Sequence, residues 1–341
     1  TPPDEQERET AAGATYAPVA STRRSTMTHV EQVHPRIYRI HVPFERTGAV
    51  QLYVLRGAQV ALVDSGVNTS PEAFVTPALD RIGLRLGDVD LVVNSHGHMD
   101  HLGGNAALVE AGARVLLHPA DAPLASAQES HRALGDPLRY LGLPELAEEL
   151  TGNMIRLLGA PTPVARWLDE GDEIDLGEGV VLRVIHTPGH APGHIALYWE
   201  REGVLIAADA VQVWGSRPGG YPLYWDARAY RASLDRLAGL DVNLLLMGHW
   251  FRGPWAVPSP VRDRATAREA IEESRAVSAA IEEAVQAALQ QGPEGSPLEI
   301  ARAAVQALAY RMPTLLDRRS GLPGNGAISL ASHIRQARSG A

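Results

Sequence analysis

Residues 94–104 read NSHGHMDHLGG and place three histidines and one aspartate within six consecutive positions. The preceding run DLVVN at 90–94 is typical of a buried strand, so we predict that the cluster lies in a strand-to-helix loop. In such a loop, side chains two residues apart can point the same way, while the following Asp-His pair turns to a second point nearby. The spacing predicts two neighbouring metal ions on one loop. The alternative is a solvated, histidine-rich turn.

Composition limits the chemistry that this chain can perform. Its 341 residues suffice to bury a full core, as one large domain or as a domain with an appendage. The absence of cysteine excludes disulfides, thiolate zinc sites, iron–sulfur clusters and cysteine nucleophiles. The absence of lysine excludes a Schiff base and a P-loop lysine. A net charge of -9 without a basic block predicts that nucleic acid is not a partner.

Short apolar runs alternate with helical stretches along the chain. Residues 1–27 are polar and are predicted to form a disordered leader. No apolar run reaches the roughly eighteen residues of a membrane span, so we expect a cytoplasmic protein without membrane contact. Strands are predicted at 37–42, 50–55, 60–63, 90–94, 115–117, 180–185, 195–199, 204–207 and 243–247, the first three as an antiparallel meander, and helices at 71–82, 121–150 and 226–238.

Three further polar residues end apolar runs elsewhere in the chain. His190 lies in HTPGHAPGHIALY (186–198), Asp209 follows LIAA, and His249 follows LLLMG. A strand end is where a sheet presents functional groups, and a buried aspartate is costly unless it is paired or bound to metal. Taken singly, His249 could be a satisfied core histidine and Asp209 a helix cap. Jointly, the three residues complete a ligand set with the first cluster.

In this order, the segments LVDSG, HGHMDHLGG, HTPGH, AADA and MGH resemble the five motifs of the metallo-β-lactamase-fold hydrolase superfamily. The resemblance implies the α/β (α+β) class and a four-layer αββα sandwich, with the metals at one edge between the two sheets. It implies a catalytic domain over residues 28–260, with an insert at 120–165 that could act as a lid. From 261 to 341, apolar residues at helical spacing and a capping box at Ser296 predict a C-terminal helical extension.

The same resemblance assigns the metal ligands residue by residue. Asp64 would accept a hydrogen bond from a ligand imidazole and fix its tautomer, and Gly103 and Gly104 would let the backbone pass close behind the ligands. His118, His186 and His194 are expected to be structural or to support the ligand residues. The first metal would be held by His96, His98 and His190, the second by Asp100, His101 and His249, and Asp209 would bridge them.

Imidazole and carboxylate ligands suit zinc, although iron and manganese accept the same donors. Two divalent ions that share a water generate a hydroxide nucleophile near neutral pH, and Asp100 is the expected residue to orient that water and shuttle its proton. The predicted activity is hydrolysis of an activated acyl bond: an ester, a thioester or a lactone.

Sequence differences from three groups of the superfamily narrow the range of possible substrates. The β-lactam-hydrolysing enzymes generally lack an aspartate at the bridging position, which is Asp209 here. Hydroxyacylglutathione hydrolases carry a basic, Gly/Cys-rich signature after that aspartate, which residues 211–225 do not match. Lactonases commonly have a tyrosine where this chain has Gln212. A lactonase therefore stays open, with Tyr221 or Tyr224 as substitute oxyanion donors.

Eight of the 18 aromatic residues fall between 210 and 255, near the last two ligands. We interpret them as the wall of a pocket for an apolar or aromatic acyl group, and the insert and the C-terminal helices could cover it. The alternative is ordinary core packing. The residues predicted to bind substrate are Trp214, Tyr221, Tyr224 and Trp250, with Arg217 or Arg252 for an anionic group.

Two other functions remain open from sequence: a di-iron oxidoreductase on the same fold, and a weakly catalytic ligand-binding protein. The expected partner is a small-molecule substrate. The oligomeric state is left open, a homodimer included.

Overall fold

A computed structural model describes residues 29–45, 48–216, 220–255, 258–312 and 314–339. The leader predicted at 1–27 and Arg217 lie outside these residues. Seven strands form the first sheet in chain order, antiparallel from β1 to β4 and parallel from β4 to β7, which confirms the predicted meander. They are β1 (His29–His34), β2 (Ile37–Phe44), β3 (Gly48–Arg56), β4 (Val60–Val63), β5 (Leu91–Val93), β6 (Arg114–Leu117) and β7 (Val164–Trp167).

The second sheet has six strands in the order β13-β12-β11-β10-β9-β8. Its pairs are antiparallel except for β11 and β12, whose parallel connection contains a helix, α7 (Ala227–Ala238). The strands are β8 (Glu173–Asp175), β9 (Val181–His186), β10 (Ile195–Trp199), β11 (Val204–Ala208), β12 (Leu244–Met247) and β13 (Val261–Asp263).

The sequence of β10 explains why the sheets stack. All five of its residues are buried, and their side chains alternate between two apolar clusters. Ile195 and Leu197 face the first sheet, whereas Ala196 and Tyr198 face helices on the outside. Because helices also cover the outer face of the first sheet, the molecule is the predicted αββα sandwich.

Helices cover both faces and fill the insert and the C-terminal region. Residues 71–82, predicted as a helix, are a wide helical turn at Pro71–Val75 followed by α1. The remaining bounds are α1 (Thr76–Arg81), α2 (Met99–Leu102), α3 (Asn105–Glu110), α4 (Ala122–Ser126), α5 (Asp136–Tyr140), α6 (Pro144–Leu157), α8 (Arg264–Gln291), α9 (Pro297–Leu308) and α10 (Ala327–Ser339).

The prediction of one continuous helix over 121–150 is wrong. The segment is broken into α4, a 3-10 stretch at Gln128–Gly135, α5 and the start of α6. A proline stands in the first turn of each of the three α-helices, where its missing N–H costs nothing. The same prolines could not continue a helix from the preceding turn.

The C-terminal helices pack against the insert. Leu138 and Leu141 of the insert share one apolar cluster with residues of α8, α9 and α10. The predicted capping box is confirmed, since Ser296 Oγ accepts the Glu299 N–H while the Glu299 carboxylate accepts the Ser296 N–H. Among the described residues, no helix combines the length and apolar character that crossing a bilayer requires.

Candidate metal centre

The histidine cluster lies where the sequence predicted, in the loop from β5 to α2. His98 precedes the first turn of α2 and lies on extended backbone, His96 lies two residues earlier in the loop, and Asp100 and His101 lie within that turn. The Asn94 amide donates to the His101 carbonyl oxygen at 2.9 Å, which folds the loop back on the end of β5. The short loop therefore presents four side chains toward one region.

Glycine is required at positions 103 and 104 because a side chain at either position would collide with neighbouring backbone. A Cβ at Gly103 would lie 2.4 Å from the Met99 carbonyl oxygen, and one at Gly104 would lie 2.3 Å from the Ser65 carbonyl oxygen. Both glycines have negative φ angles that other residues also adopt. The predicted close passage of the backbone behind the ligand loop is confirmed.

Three imidazole nitrogens converge at a first point, which we call the three-imidazole group. His96 Nε2 lies 3.0 Å from His98 Nδ1 and 3.1 Å from His190 Nε2, and the last two atoms are 3.0 Å apart. Burial lowers the pKa of all three rings, and neighbouring imidazoles lower those of His96 and His98 further. The rings are therefore neutral, which is the form that binds a cation.

A second group combines Asp100, His101 and His249. His249 Nε2 lies 3.4 Å from both His101 Nε2 and Asp100 Oδ2. Burial would lower the pKa of His101, but the Asp64 and Asp100 carboxylates outweigh it and raise that pKa to about 10. In the absence of a cation these carboxylates draw a proton onto the imidazole. A divalent ion would take the place of that proton.

Asp209 reaches both groups. Its Oδ2 lies 3.4 Å from His190 Nε2 and 3.2 Å from His249 Nε2. Burial alone would raise the pKa of this carboxyl, but the facing His249 and His101 rings hold it below its usual range. Its Oδ1 is buried without a hydrogen-bond donor among the described residues.

The donor set fits metal ions. A buried carboxylate oxygen without a donor and several ring nitrogens without a shared hydrogen are costly unless a cation lies between them. Three sets of donor atoms each lie within 4.8 Å of one another, and they overlap in His96 and His101. The sets are His96, His98 and His190; His96, His101 and Asp209; and Asp100, His101 and His249.

In three of these rings, the nitrogen that faces away from the centre donates a hydrogen bond to a protein oxygen. His101 Nδ1 donates to Asp64 Oδ2 at 2.8 Å, as predicted, while His190 Nδ1 donates to the Leu223 carbonyl oxygen at 2.5 Å. His249 Nδ1 donates to a carbonyl oxygen of β3 at 2.6 Å. Each bond fixes the tautomer and turns Nε2 toward the centre.

Asp64 has a φ of 62°, an uncommon value outside glycine. Besides His101, its carboxylate accepts the N–H of Ser95 at 2.7 Å and the Ser95 hydroxyl at 2.9 Å. Ser95 Oγ lies 3.0 Å from His96 Nδ1. Because the Ser95 hydroxyl donates to Asp64, it accepts from His96, so one strained residue orients a ligand of each group.

His118, His186 and His194 have partners outside the three donor sets or behind them. His194 accepts the N–H of Asp209 at 3.2 Å, and its Nδ1 meets the Thr187 hydroxyl at 2.7 Å. His118 and His186 stack with ring centroids 4.1 Å apart, one from the end of each sheet.

Gln212 and the last helix position His190. The Gln212 amide donates to the Leu223 carbonyl oxygen at 2.7 Å and accepts the Leu223 N–H at 2.7 Å. From α10, Ser329 donates to the Pro222 carbonyl oxygen at 2.6 Å and accepts the Tyr224 N–H at 2.9 Å. The short segment that carries the carbonyl partner of His190 is thus held from two sides. No local sequence pattern predicted this role.

A cavity of about 800 Å³ opens beside the centre. Its walls come from the β2–β3 hairpin, from the insert, and from the C-terminal segment that includes Asp317 and Pro323. The large apolar side chains that line it are Phe44, Met99, Leu138, Leu146, Leu150, Met154, Leu157, Tyr221, Leu223, Trp250 and Phe251.

Tyr221 and Trp250 line this cavity, whereas Trp214, Tyr224 and Arg252 are not among its described lining residues. The Trp214 indole is turned toward α8 and donates to Glu273 at 2.6 Å. Tyr224 is fully buried, and its hydroxyl lies 2.9 Å from His333 Nε2. Arg252 donates to the Trp214 carbonyl oxygen at 3.0 Å and so holds a loop together.

His41 also lines the cavity, and sequence reasoning missed it. The Arg39 guanidinium donates to Gln51 Oε1 at 2.6 Å, so the Gln51 amide nitrogen must face His41 Nδ1, 3.0 Å away. The His41 ring therefore accepts at Nδ1 and carries its proton on Nε2. A single histidine in the β2 sequence gives no signal of this arrangement.

Ion pairs tie the walls together around the cavity. Glu45 of the hairpin pairs with Arg156 of α6, and Glu149 of α6 pairs with Arg319 at 2.7 Å. Both glutamates line the cavity, whereas the described lining residues include no arginine.

Comparison with known proteins agrees with this arrangement. The probable metallo-hydrolase YqjP of Bacillus subtilis is 28% identical over 226 residues, which cover 62% of this chain and 70% of the relative. A hydroxyacylglutathione hydrolase of Anaeromyxobacter dehalogenans is 32% identical over 204 residues, 58% of this chain and 60% of that protein.

Solved structures show the same fold. A metallo-beta-lactamase family protein from Thermus thermophilus superposes with a TM-score of 0.66 at 28% identity, over 91% of this chain and 96% of that one. BJP-1, a subclass B3 metallo-beta-lactamase of Bradyrhizobium japonicum, superposes with a TM-score of 0.53 at 23% identity, over 78% and 96%, and so shares the fold alone. The model of the metallo-beta-lactamase superfamily matches residues 46–249. Since that match spans more than half of the chain and contains every proposed ligand, this chain belongs to the metallo-beta-lactamase superfamily.

Proposed function

We propose that this chain is a binuclear metal-dependent hydrolase that cleaves an activated acyl bond in a small molecule with an apolar or aromatic acyl group. The bond is that of an ester, a lactone or a thioester. The observation that carries the proposal is the overlap of three buried donor sets on the wall of one largely apolar cavity.

The three-imidazole group would hold one cation, Asp100, His101 and His249 would hold the other, and Asp209 would lie between them. When bound, two divalent ions supply a water of lowered pKa and a centre that polarises the carbonyl group. We propose zinc because the donors are imidazole and carboxylate without sulfur, although iron or manganese would fit the same set.

Asp100 is the residue we propose to handle the proton. Its carboxylate lines the cavity, and Oδ2 lies 3.4 Å from His249 Nε2. A carboxylate at the boundary between the centre and the cavity can orient a water by accepting its hydrogen, and it can then pass the proton to the leaving group.

The charges around the cavity favour a neutral substrate. The described lining residues include Glu45, Glu149 and Asp317 but no arginine, and the chain has no lysine. Among the described lining residues, a substrate carboxylate or phosphate far from the reacting bond would meet no arginine, and the arginines that contact Glu45 and Glu149 are already paired with those glutamates. Glutathione carries two carboxylates, so we propose that lactones and neutral esters are better substrates than glutathione thioesters, despite the relatives that bear that name.

Metal analysis joined to a hydrolysis screen tests this proposal. We expect about two metal ions per chain and metal-dependent turnover of aryl esters or lactones, with acylglutathione substrates slower by at least about tenfold. The screen uses the same acyl group in the neutral and the anionic substrate. Absence of bound metal, or turnover that survives complete metal removal, would refute the function. A preference for acylglutathione would refute only the substrate assignment.

A further inference from the structure

The first part of the insert lies behind the three-imidazole group, away from the cavity lining. After β6, His118 caps a 3-10 turn at Pro119–Asp121 and accepts the Ala120 N–H through Nδ1 at 3.1 Å. This turn places the Asp121 carboxylate, which is fully buried, between the two loops that carry the three histidines.

Each oxygen of Asp121 accepts one backbone amide. Oδ2 accepts the N–H of Gly97 at 2.7 Å, and Oδ1 accepts the N–H of Gly193 at 2.7 Å. Gly97 stands between His96 and His98, and Gly193 follows His190 by three positions. One side chain thus joins the loop at the end of the first sheet to the loop at the end of the second.

Both loops pack so closely on this part of the insert that glycine is required. A Cβ at Gly193 would lie 2.7 Å from Asp121 Cγ, and a Cβ at Gly97 would lie 2.8 Å from Leu124 Cβ and 3.1 Å from Asp121 Cβ. His131, also in the insert, contacts the Gly97 carbonyl oxygen through Nε2 at 3.1 Å. The peptide groups around Gly97 are therefore held on the N–H side and on the carbonyl side by the same insert.

The simpler interpretation is that Asp121 merely satisfies two buried amides. Two separate neutral acceptors would do that without burying a carboxylate, whose burial here raises its pKa against the effect of the two N–H groups. What a single carboxylate adds is a fixed distance between the two amides. Here that distance sets how far His96 and His98 lie from His190.

We propose that Asp121 is a positioning residue that sets the cation affinity of the three-imidazole group. This inference rests on the proposed function, because it presumes that the group binds metal. It gives the insert a role other than covering the cavity. Holding ligand loops in place this way commonly accounts for about 10- to 100-fold in metal affinity.

Asp121→Asn tests the proposal. Asparagine offers one acceptor oxygen, and its amide nitrogen would face the other N–H, so only one loop stays held. We expect competition with a chromogenic chelator to show one of the two cations bound about 10- to 100-fold more weakly and the other within about twofold of wild type. With Co²⁺ in place of the native metal, the visible spectrum of the weakened site should also change.

Asp263→Asn is the matched control. Asp263 accepts the Thr266 N–H at 3.0 Å at the start of α8, outside the donor sets, and asparagine can accept the same bond, so this substitution should leave both affinities unchanged. Wild-type affinities at both sites in Asp121→Asn would overturn the proposal. It would also be overturned if both affinities fell together with the melting temperature of the metal-free protein, because Asp121 would then support the fold in general.

A second variant covers the case in which Asp121→Asn fails to fold. His131→Leu removes the contact with the Gly97 carbonyl oxygen while leaving Asp121 in place, and it should weaken binding of the same cation by a smaller factor; unchanged binding would again overturn the proposal. If the wild-type protein itself bound no cation, the proposed function would fail, and this outcome is distinct from the others.

Discussion

Acidification should destabilise the protein through His333 on α10. This side chain is 3% exposed, and its Nε2 lies 2.9 Å from the Tyr224 hydroxyl. Burial, together with the nearby Arg231, lowers the pKa of His333 to about 3. The ring is therefore neutral in the folded protein at every pH above that value.

The pKa difference fixes the size of the effect. In the unfolded chain the pKa is near 6.5, so between pH 6.5 and 3 the unfolded state binds a proton that the folded state does not. The free energy of unfolding therefore suffers no loss from His333 above pH 6.5. Below that pH it falls by at most about 1.4 kcal/mol per pH unit. At pH 5 the loss from this residue is about 2 kcal/mol.

Urea unfolding of the wild type and of His333→Gln, each measured at pH 7 and pH 5, isolates the contribution of His333 to the free energy of unfolding. Glutamine can still accept from Tyr224 and does not titrate. All other histidines are common to both proteins, and their contributions cancel in the comparison. We expect the wild type to lose about 2 kcal/mol more than the variant. Equal losses would mean that His333 is protonated in the fold, and would refute the reasoning.

Three further predictions address the centre and the cavity. Asp209→Asn should lose one cation or bind it at least about 10- to 100-fold more weakly, measured by elemental analysis after dialysis; full occupancy would contradict the bridging assignment. Trp250→Ala should raise KM for long apolar esters far more than for acetyl esters. Trp214→Ala, whose indole donates to Glu273 and is not among the described lining residues, should leave the ratio of the two KM values unchanged; equal ratios in the two variants would contradict the assignment of Trp250 to the cavity wall. Gly104→Ala should cost about 1–3 kcal/mol in thermal unfolding because its Cβ meets backbone. Gly152→Ala in α6, where nothing lies within 4 Å of the new Cβ, should be neutral or stabilising, and similar effects of the two would contradict this explanation.

The ligand loop was predictable because its signal is local. One loop and the first turn of α2 carry His96, His98, Asp100 and His101. They follow directly after β5, a strand that is recognisable from its apolar run. The convergence of His190 and His249 on this loop followed from strand ends that share one edge of a sandwich. The ring contacts at 3.0–3.4 Å agree with that expectation.

The features of the site that the sequence did not reveal depend on contacts between distant parts of the chain. Tyr224 was assigned to the cavity because it is near the ligands in sequence, yet its hydroxyl meets α10, 109 positions away. The spacing of Asp121 from Gly97 and Gly193 carries no periodicity that a pattern could reveal. The helix predicted over 121–150 is broken for a local reason, since a proline stands in the first turn of each of the three helices found there.

The bonds from Ser329 to the neighbours of Leu223 make the C-terminal helices part of the support of the proposed metal centre. A chain that ended at residue 260 would keep all seven proposed ligands, yet the segment that carries the carbonyl partner of His190 would lose both hydrogen bonds with Ser329 and keep those with Gln212. Such a truncation should therefore give an enzyme that is metal-poor, even where its sandwich still assembles, so the shortest functional chain is longer than the family motifs suggest.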